Sequence, residues 1–269
     1  MLRLILIIGF IAISAAGQSQ FNKVVSKTIN YAWFNCDANK TIYLVNNKKL
    51  FKYLPPYDSA VYYDFTMEGL PSYIDINNPN QIILFYENSY KLIILNSDLK
   101  EIERPFFLDE LGLFDISMIF ASTDKGLWFY NYVSNSLTKL NTGFMPLVRG
   151  LSLNPYFRPP HSPNYIATFT DKIYLNVPSY GILVINQNGS YLTAIQLQGL
   201  VDFQVDDEFI YYYRDNIIFC YQQKTLKTRR IYIPEEPETL NAWFYRDQII
   251  VLTRNGFRVY DHKISPAEE

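Results

Sequence analysis

The chain has 269 residues, a formal net charge of −2 and 49% hydrophobic residues. A balance this close to neutral offers no basic surface for nucleic acid, and the apolar share suffices for a sizeable core. Two cysteines, two histidines and 11 glycines leave little material for a metal cluster, a histidine-based nucleophile or a phosphate-cradling loop, so no catalytic residue, metal ligand or cofactor is assigned.

The first residues read as an export address. Met1-Leu2-Arg3 is a short positive start, Leu4 to Ile13 an apolar core and Ser14-Ala15-Ala16-Gly17 a small-residue exit, the layout of a signal peptide cleaved near Gly17. A bilayer span needs about 20 apolar residues, and this run is shorter, so no membrane span is expected in the mature chain. Cleavage removes Arg3 and leaves 23 basic against 26 acidic residues, a charge of −3. The expected divisions are a signal peptide at 1–17, one domain at 18–264 and a tail at 265–269. The expected location is the periplasm, the outer-membrane surface or the medium.

Asn22 to Ile29 reads as a strand with no repeat of its own. Six stretches then share one pattern of short apolar strand, turn and second strand. Their leading aliphatic residues, Ile42, Ile82, Leu127, Ile173, Ile210 and Ile249, lie 40, 45, 46, 37 and 39 residues apart. That period predicts propeller blades.

In the fifth repeat, 202–206, 209–213, 217–221 and 227–233 are successive strands, with Arg214-Asp215-Asn216 as the central hairpin. Asn255-Gly256 makes the same hairpin in the sixth repeat, which stops after its third strand. If Asn22 to Ile29 supplies the missing outer strand, the ring closes and both open edges are protected. The expected fold is all-β: a six-bladed β-propeller whose last blade is closed by the N-terminal strand. Cys36 falls on the first strand of blade 1 and Cys220 on the third strand of blade 5, so two buried free thiols are expected rather than a disulfide.

Ser122 to Tyr130 and Asp247 to Leu252, with the four repeats like them, resemble the exported bacterial six-bladed propellers of the broad TolB-like and NHL-like kind. The likeness covers residues 20–264. It implies the propeller fold and, by family habit, binding to proteins or ligands more often than catalysis. The Trp-Asp pair, the double glycine and the Tyr-Trp-Thr-Asp run of other propeller families are missing, so no subfamily function is implied.

Ser122-x-Asp124-x-Gly126-x-Trp128 is one residue short of the Asp box of sialidases and reads as a blade hairpin. Asp206, Asp207 and Glu208 lie together at a turn, where solvated charge is the ordinary explanation; a glycosidase needs two carboxylates flanking a site. A calcium-centred lactonase draws on scattered Asn, Asp and Glu, which spacing does not reveal.

In a four-stranded meander the hairpins between second and third strands share a face with the blade-to-blade connections. That face is expected to carry the longest insertion, Val148 to Pro163, stiffened by four prolines. Tyr156, Phe157, Arg158 and His161 are the candidate contact residues, with packing of the two rings against the blades as the alternative. The same face should carry Arg214, Arg254 and the acidic turn Pro234-Glu235-Glu236-Pro237-Glu238. Arg214 and Arg254 are the alternative ligand-binding candidates near the central channel.

Two functions remain open. One is a non-catalytic module binding another envelope or secreted protein through the loop-bearing face. The other is a small-molecule or glycan site in the central channel, with a hydrolase or lactonase as its catalytic form.

Overall fold

The computed structural model describes residues 21–262. Their strands form six antiparallel sheets of four strands each, arranged as a ring of blades. The anchors Ile42, Ile82, Leu127, Ile173, Ile210 and Ile249 all fall on second strands and are all buried. Most of those strands are continuous apolar runs, not alternating ones, because they are covered on both faces by neighbouring blades; Phe209–Arg214, whose burial alternates, is the exception. Ile82–Tyr86 is buried at every position, whereas the outer strand Thr228–Tyr232 is almost wholly exposed.

The apolar core is correspondingly divided among the blade interfaces. Ile83 and Phe85 of blade 2 pack against Ile119 and Phe129 of blade 3, and Tyr174 and Ile182 of blade 4 against Ile210 and Tyr212 of blade 5. Cys36 and Cys220 are both buried free thiols, in the strands expected for them. Burial raises both, Cys220 to about 12, which leaves them inert.

Polar contacts lace blade to blade. The buried Lys52 donates to the carbonyl of Ser97 in the next blade (2.6 Å), and the buried Lys139 to that of Gln187 (3.0 Å). Trp128 Nε1 and Ser122 Oγ both donate to Gln187 Oε1 (3.2 and 2.6 Å). Ser122 to Trp128 is thus a structural hairpin, as its pattern implied.

The ring closes where the sequence predicts. Phe21–Thr28 pairs antiparallel with Gly256–His262 as the outer strand of blade 6, from Phe21 against His262 to Thr28 against Gly256. Gly256 is obligatory there: its φ is +129°, and a Cβ would stand 2.1 Å from the Lys27 carbonyl oxygen. Glu236 adds a polar clasp, ion-paired with Lys23 and with Arg258 (3.9 Å) and accepting from Tyr260 Oη. The acidic turn therefore places one of its carboxylates in the seam rather than on a solvated rim.

One boundary differs. Pro146–Ser152 is the outer strand of blade 3, so the long connection runs over 153–164 instead of starting at Val148. Gly150 has a φ of +54° and the register against the third strand shifts twice. That irregularity hides the strand from an alternation test. The signal-peptide region and the tail from 263 lie outside the described residues.

Candidate functional site

The first strand of each blade is innermost, and these strands surround a central cavity of about 760 Å³. Five of the six blades line it. Blade 3 is screened by a bridge from blade 2: Asp75 accepts from the Ala121 N–H (3.0 Å), and Asn77 crosses to blade 4. There Asn77 donates to the Ile166 carbonyl (3.0 Å) and accepts from the Thr168 N–H (3.1 Å). Asp75 and Asn77 also bond each other, which ties the bridge together.

Rings contribute to the lining from every blade that reaches it, among them Trp33, Tyr73, Tyr165, Phe203, Tyr211 and Phe244. Burial raises the hydroxyls of Tyr73 and Tyr165 well above the ordinary tyrosine value, so both are neutral donors. Lys40, Arg246 and Asp247 lie toward one mouth, where Lys40 is ion-paired with Asp247. That hydrogen bond holds the Asp247 carboxyl below its usual range.

The carboxylates around the channel are used within their own neighbourhood. Asp37 accepts from the N–H groups of Asn39 (2.8 Å) and Thr41 (2.9 Å). Asp202 accepts both short bonds of the Asn241 amide, at 2.8 and 3.0 Å. Asp206 accepts from the N–H groups of Glu208 and Phe209 and from Tyr211 Oη (2.9 Å). Among the described residues no three His, Cys, Asp or Glu side chains assemble to hold a metal ion.

The sequence candidates sit elsewhere. Phe157 is a core residue, 5% exposed between blades 3 and 4, and its carbonyl accepts from the buried Asn135 amide (2.8 Å). Burial removes Phe157 from the surface and corrects its assignment as a contact residue. Tyr156 is half-buried and stacks on Tyr191 at 4.9 Å. Arg158 and His161 are exposed; His161 Nδ1 shares a hydrogen bond with Ser179 Oγ (2.8 Å).

Arg214 donates to the Gln198 carbonyl (2.9 Å) and covers the Tyr212 ring, while Arg254 faces Glu238 at 3.6 Å. Neither lines the cavity, because both hairpins join second and third strands, away from the axis. The cations at the cavity are Lys40 and Arg246, each in the hairpin that follows an inner strand. Those positions were readable from the repeat.

The face bearing the blade-to-blade connections also exposes large apolar side chains. Met67 is 94% exposed and Val201 76%, and Leu70, Phe114 and Leu240 are at least half exposed. Leu70, Phe114 and Val201 precede inner strands, and Leu240 lies near the start of one, so they collar one mouth of the channel. On the opposite face, Leu54, Ile102, Met145 and Leu226 are confined to turns between third and outer strands, at the perimeter.

The molecule is a six-bladed β-propeller. No protein-family model matches the chain, and no curated protein matches it in sequence. Solved structures share the fold. Virginiamycin B lyase from Staphylococcus aureus aligns over 86% of this chain and 80% of its own, with TM-score 0.55 and 14% identity. A gluconolactonase from Xanthomonas campestris aligns over 92% and 91%, with TM-score 0.58 and 11% identity. The Pan2 WD40 domain of Neurospora crassa aligns over 88% and 90%, with TM-score 0.52 and 8% identity. At these identities the likeness concerns the fold alone, and the fold hosts unrelated tasks.

Proposed function

We propose that this propeller is an exported, non-catalytic binding module that docks another envelope or secreted protein through the face of its blade-to-blade connections. The observation that carries the reading is the collar of Leu70, Phe114, Val201 and Leu240 around the channel mouth, extended by Met67. Exposed apolar residues gathered on one face mark interaction surfaces, whereas single ones scattered over a perimeter are ordinary. Arg158, His161 and the stacked Tyr156 supply a polar and aromatic flank on the same face, a combination suited to binding hot spots. Export rests on the sequence of residues 1–17. Cleavage near Gly17 leaves intact the ring-closing strand, which begins at Phe21.

The test uses Met67→Ser, Val201→Ser and Leu240→Ser together, none of which lines the cavity. These exposed sites should each change stability by no more than about 0.5 kcal/mol. Affinity capture from the native envelope should then lose the partner held by the wild-type protein, while Leu54→Ser with Leu226→Ser on the opposite face keeps it. Retention of the same partner by the triple variant sinks the reading.

A second reading places a small ligand in the central cavity, favoured by its volume and its aromatic lining, which match ordinary small-molecule sites.

A further inference from the structure

The central cavity combines two properties that point to one class of ligand, an inference that rests on the second reading above. The first is its walls. Trp33, Tyr73, Tyr165, Phe203, Tyr211 and Phe244 come from five different blades and converge on one space. Ring faces carry negative potential and attract cations, most strongly where water is excluded.

The second is its charge. The hydrogen-bond donors to Asp37, Asp75 and Asp202 are neutral: backbone N–H groups, a tyrosine hydroxyl and asparagine amides. None of the three has an ion-pair partner among the described residues. Lys52 acts on Asp37 only at a distance and gives its ammonium to Ser97. Of the two cations at the cavity, Lys40 is engaged by Asp247 and Arg246 is exposed at the mouth. The fields of Asp202 and Asp75 reach Tyr165, and those of Asp37 and Asp202 reach Cys36, both on the cavity wall. Burial raises the carboxyls of Asp37 and Asp202 and lifts that of Asp75 to about 6, as expected of buried acids lacking a counter-charge.

We propose that the central cavity binds a small organic cation, with a quaternary ammonium or similar soft cationic group against its aromatic walls and in the field of Asp37, Asp75 and Asp202. A bare metal ion is disfavoured because, among the described residues, these carboxylates do not gather with a third acid, His or Cys into a cluster that could hold one. A quaternary ammonium requires no such ligands, only ring faces and negative potential. The space exceeds that of a lone ammonium, so the cation is one end of a larger molecule.

The experiment titrates the full mature protein with choline and with 3,3-dimethylbutan-1-ol, its neutral carbon isostere, by calorimetry and thermal shift. Choline should raise the melting temperature saturably and bind roughly tenfold or more tightly than the isostere. Asp202→Asn should melt like wild type, lose the preference for choline and bind the isostere unchanged. If that variant does not fold, Asp75→Asn serves in its place, since an asparagine oxygen can still accept from Ala121. Equal binding of both probes overturns the cation inference while leaving the cavity a ligand site. Binding of neither overturns both, and a choline preference that survives in the folded variant overturns the role of the carboxylates. The docking test is independent, because its three substitutions lie outside the cavity.

Discussion

Glu236, in the connection leading into the last blade, is ion-paired with Lys23 on the strand that begins the propeller. Two residues 213 positions apart in the chain thus fasten the seam of the ring. Burial pushes the Glu236 carboxyl up, but hydrogen bonds from Lys23 and Tyr260 and the charges of Lys23 and Arg258 outweigh it and hold it below the usual glutamate value.

A folded-state value below the unfolded one contributes stability that is present above the ordinary glutamate range and lost as the pH falls through the folded value. Glu236→Gln should therefore lower stability at neutral pH by about 1–2 kcal/mol and flatten the acid limb below about pH 4. Urea unfolding at pH 3, 5 and 7 measures both effects. An unchanged acid limb means the clasp carries no weight.

Gly256 sets the closest backbone approach in the same seam. Gly256→Ala should cost about 3 kcal/mol or more, from the left-handed φ and the collision with Lys27, and lower the melting temperature by roughly 6–12 °C. Gly69→Ala is the matched control, because its φ is +81° but nothing lies within 4 Å of the added Cβ. Scanning calorimetry should show the first loss to be clearly the larger.

Asp75 titrates in the opposite sense to Glu236. Burial raises its folded-state value to about 6, so its contribution is full below the unfolded value near 4 and is lost as the pH rises through 6. The stability of Asp75→Asn relative to wild type should therefore increase between pH 4 and pH 7.5, on the order of 2–3 kcal/mol at most. A pH-independent difference between the two proteins counts against this account.

The long connection sets a buried ring, Phe157, beside a half-buried one, Tyr156. Phe157→Ala should cost about 3–5 kcal/mol, since it empties the space between blades 3 and 4. Tyr156→Ala should cost about 1–2 kcal/mol, through its stack on Tyr191 and the area that stack covers. Comparable losses in chemical denaturation would show that both rings serve the core.

The blades and their closure were legible in the chain because each strand reports its own burial. A second strand such as Gln248–Thr253 carries an unbroken apolar run from Ile249 to Leu252, and the unpaired reading of Asn22 to Ile29 matched the strand missing from the sixth repeat. The outer strand Pro146–Ser152 was not legible, since its irregular register and Gly150 break the alternation that marks a half-buried strand. Phe157 and Glu236 were legible only as residue types. An aromatic ring in a proline-rich loop and an acid in a turn look alike whether they face solvent or a neighbouring blade.

The sequence by itself determined the number of blades, the turns that join their strands and the terminus that completes the ring, because these follow from local periodicity and hairpin chemistry. Only the tertiary structure decided which side chains face the axis and which partners they meet there. Asp75 reaches Ala121 and Asn77 reaches Thr168, across 46 and 91 residues, only after closure brings the inner strands around one channel. The cavity, its aromatic wall and its unbalanced charge belong to the ring and to no single repeat.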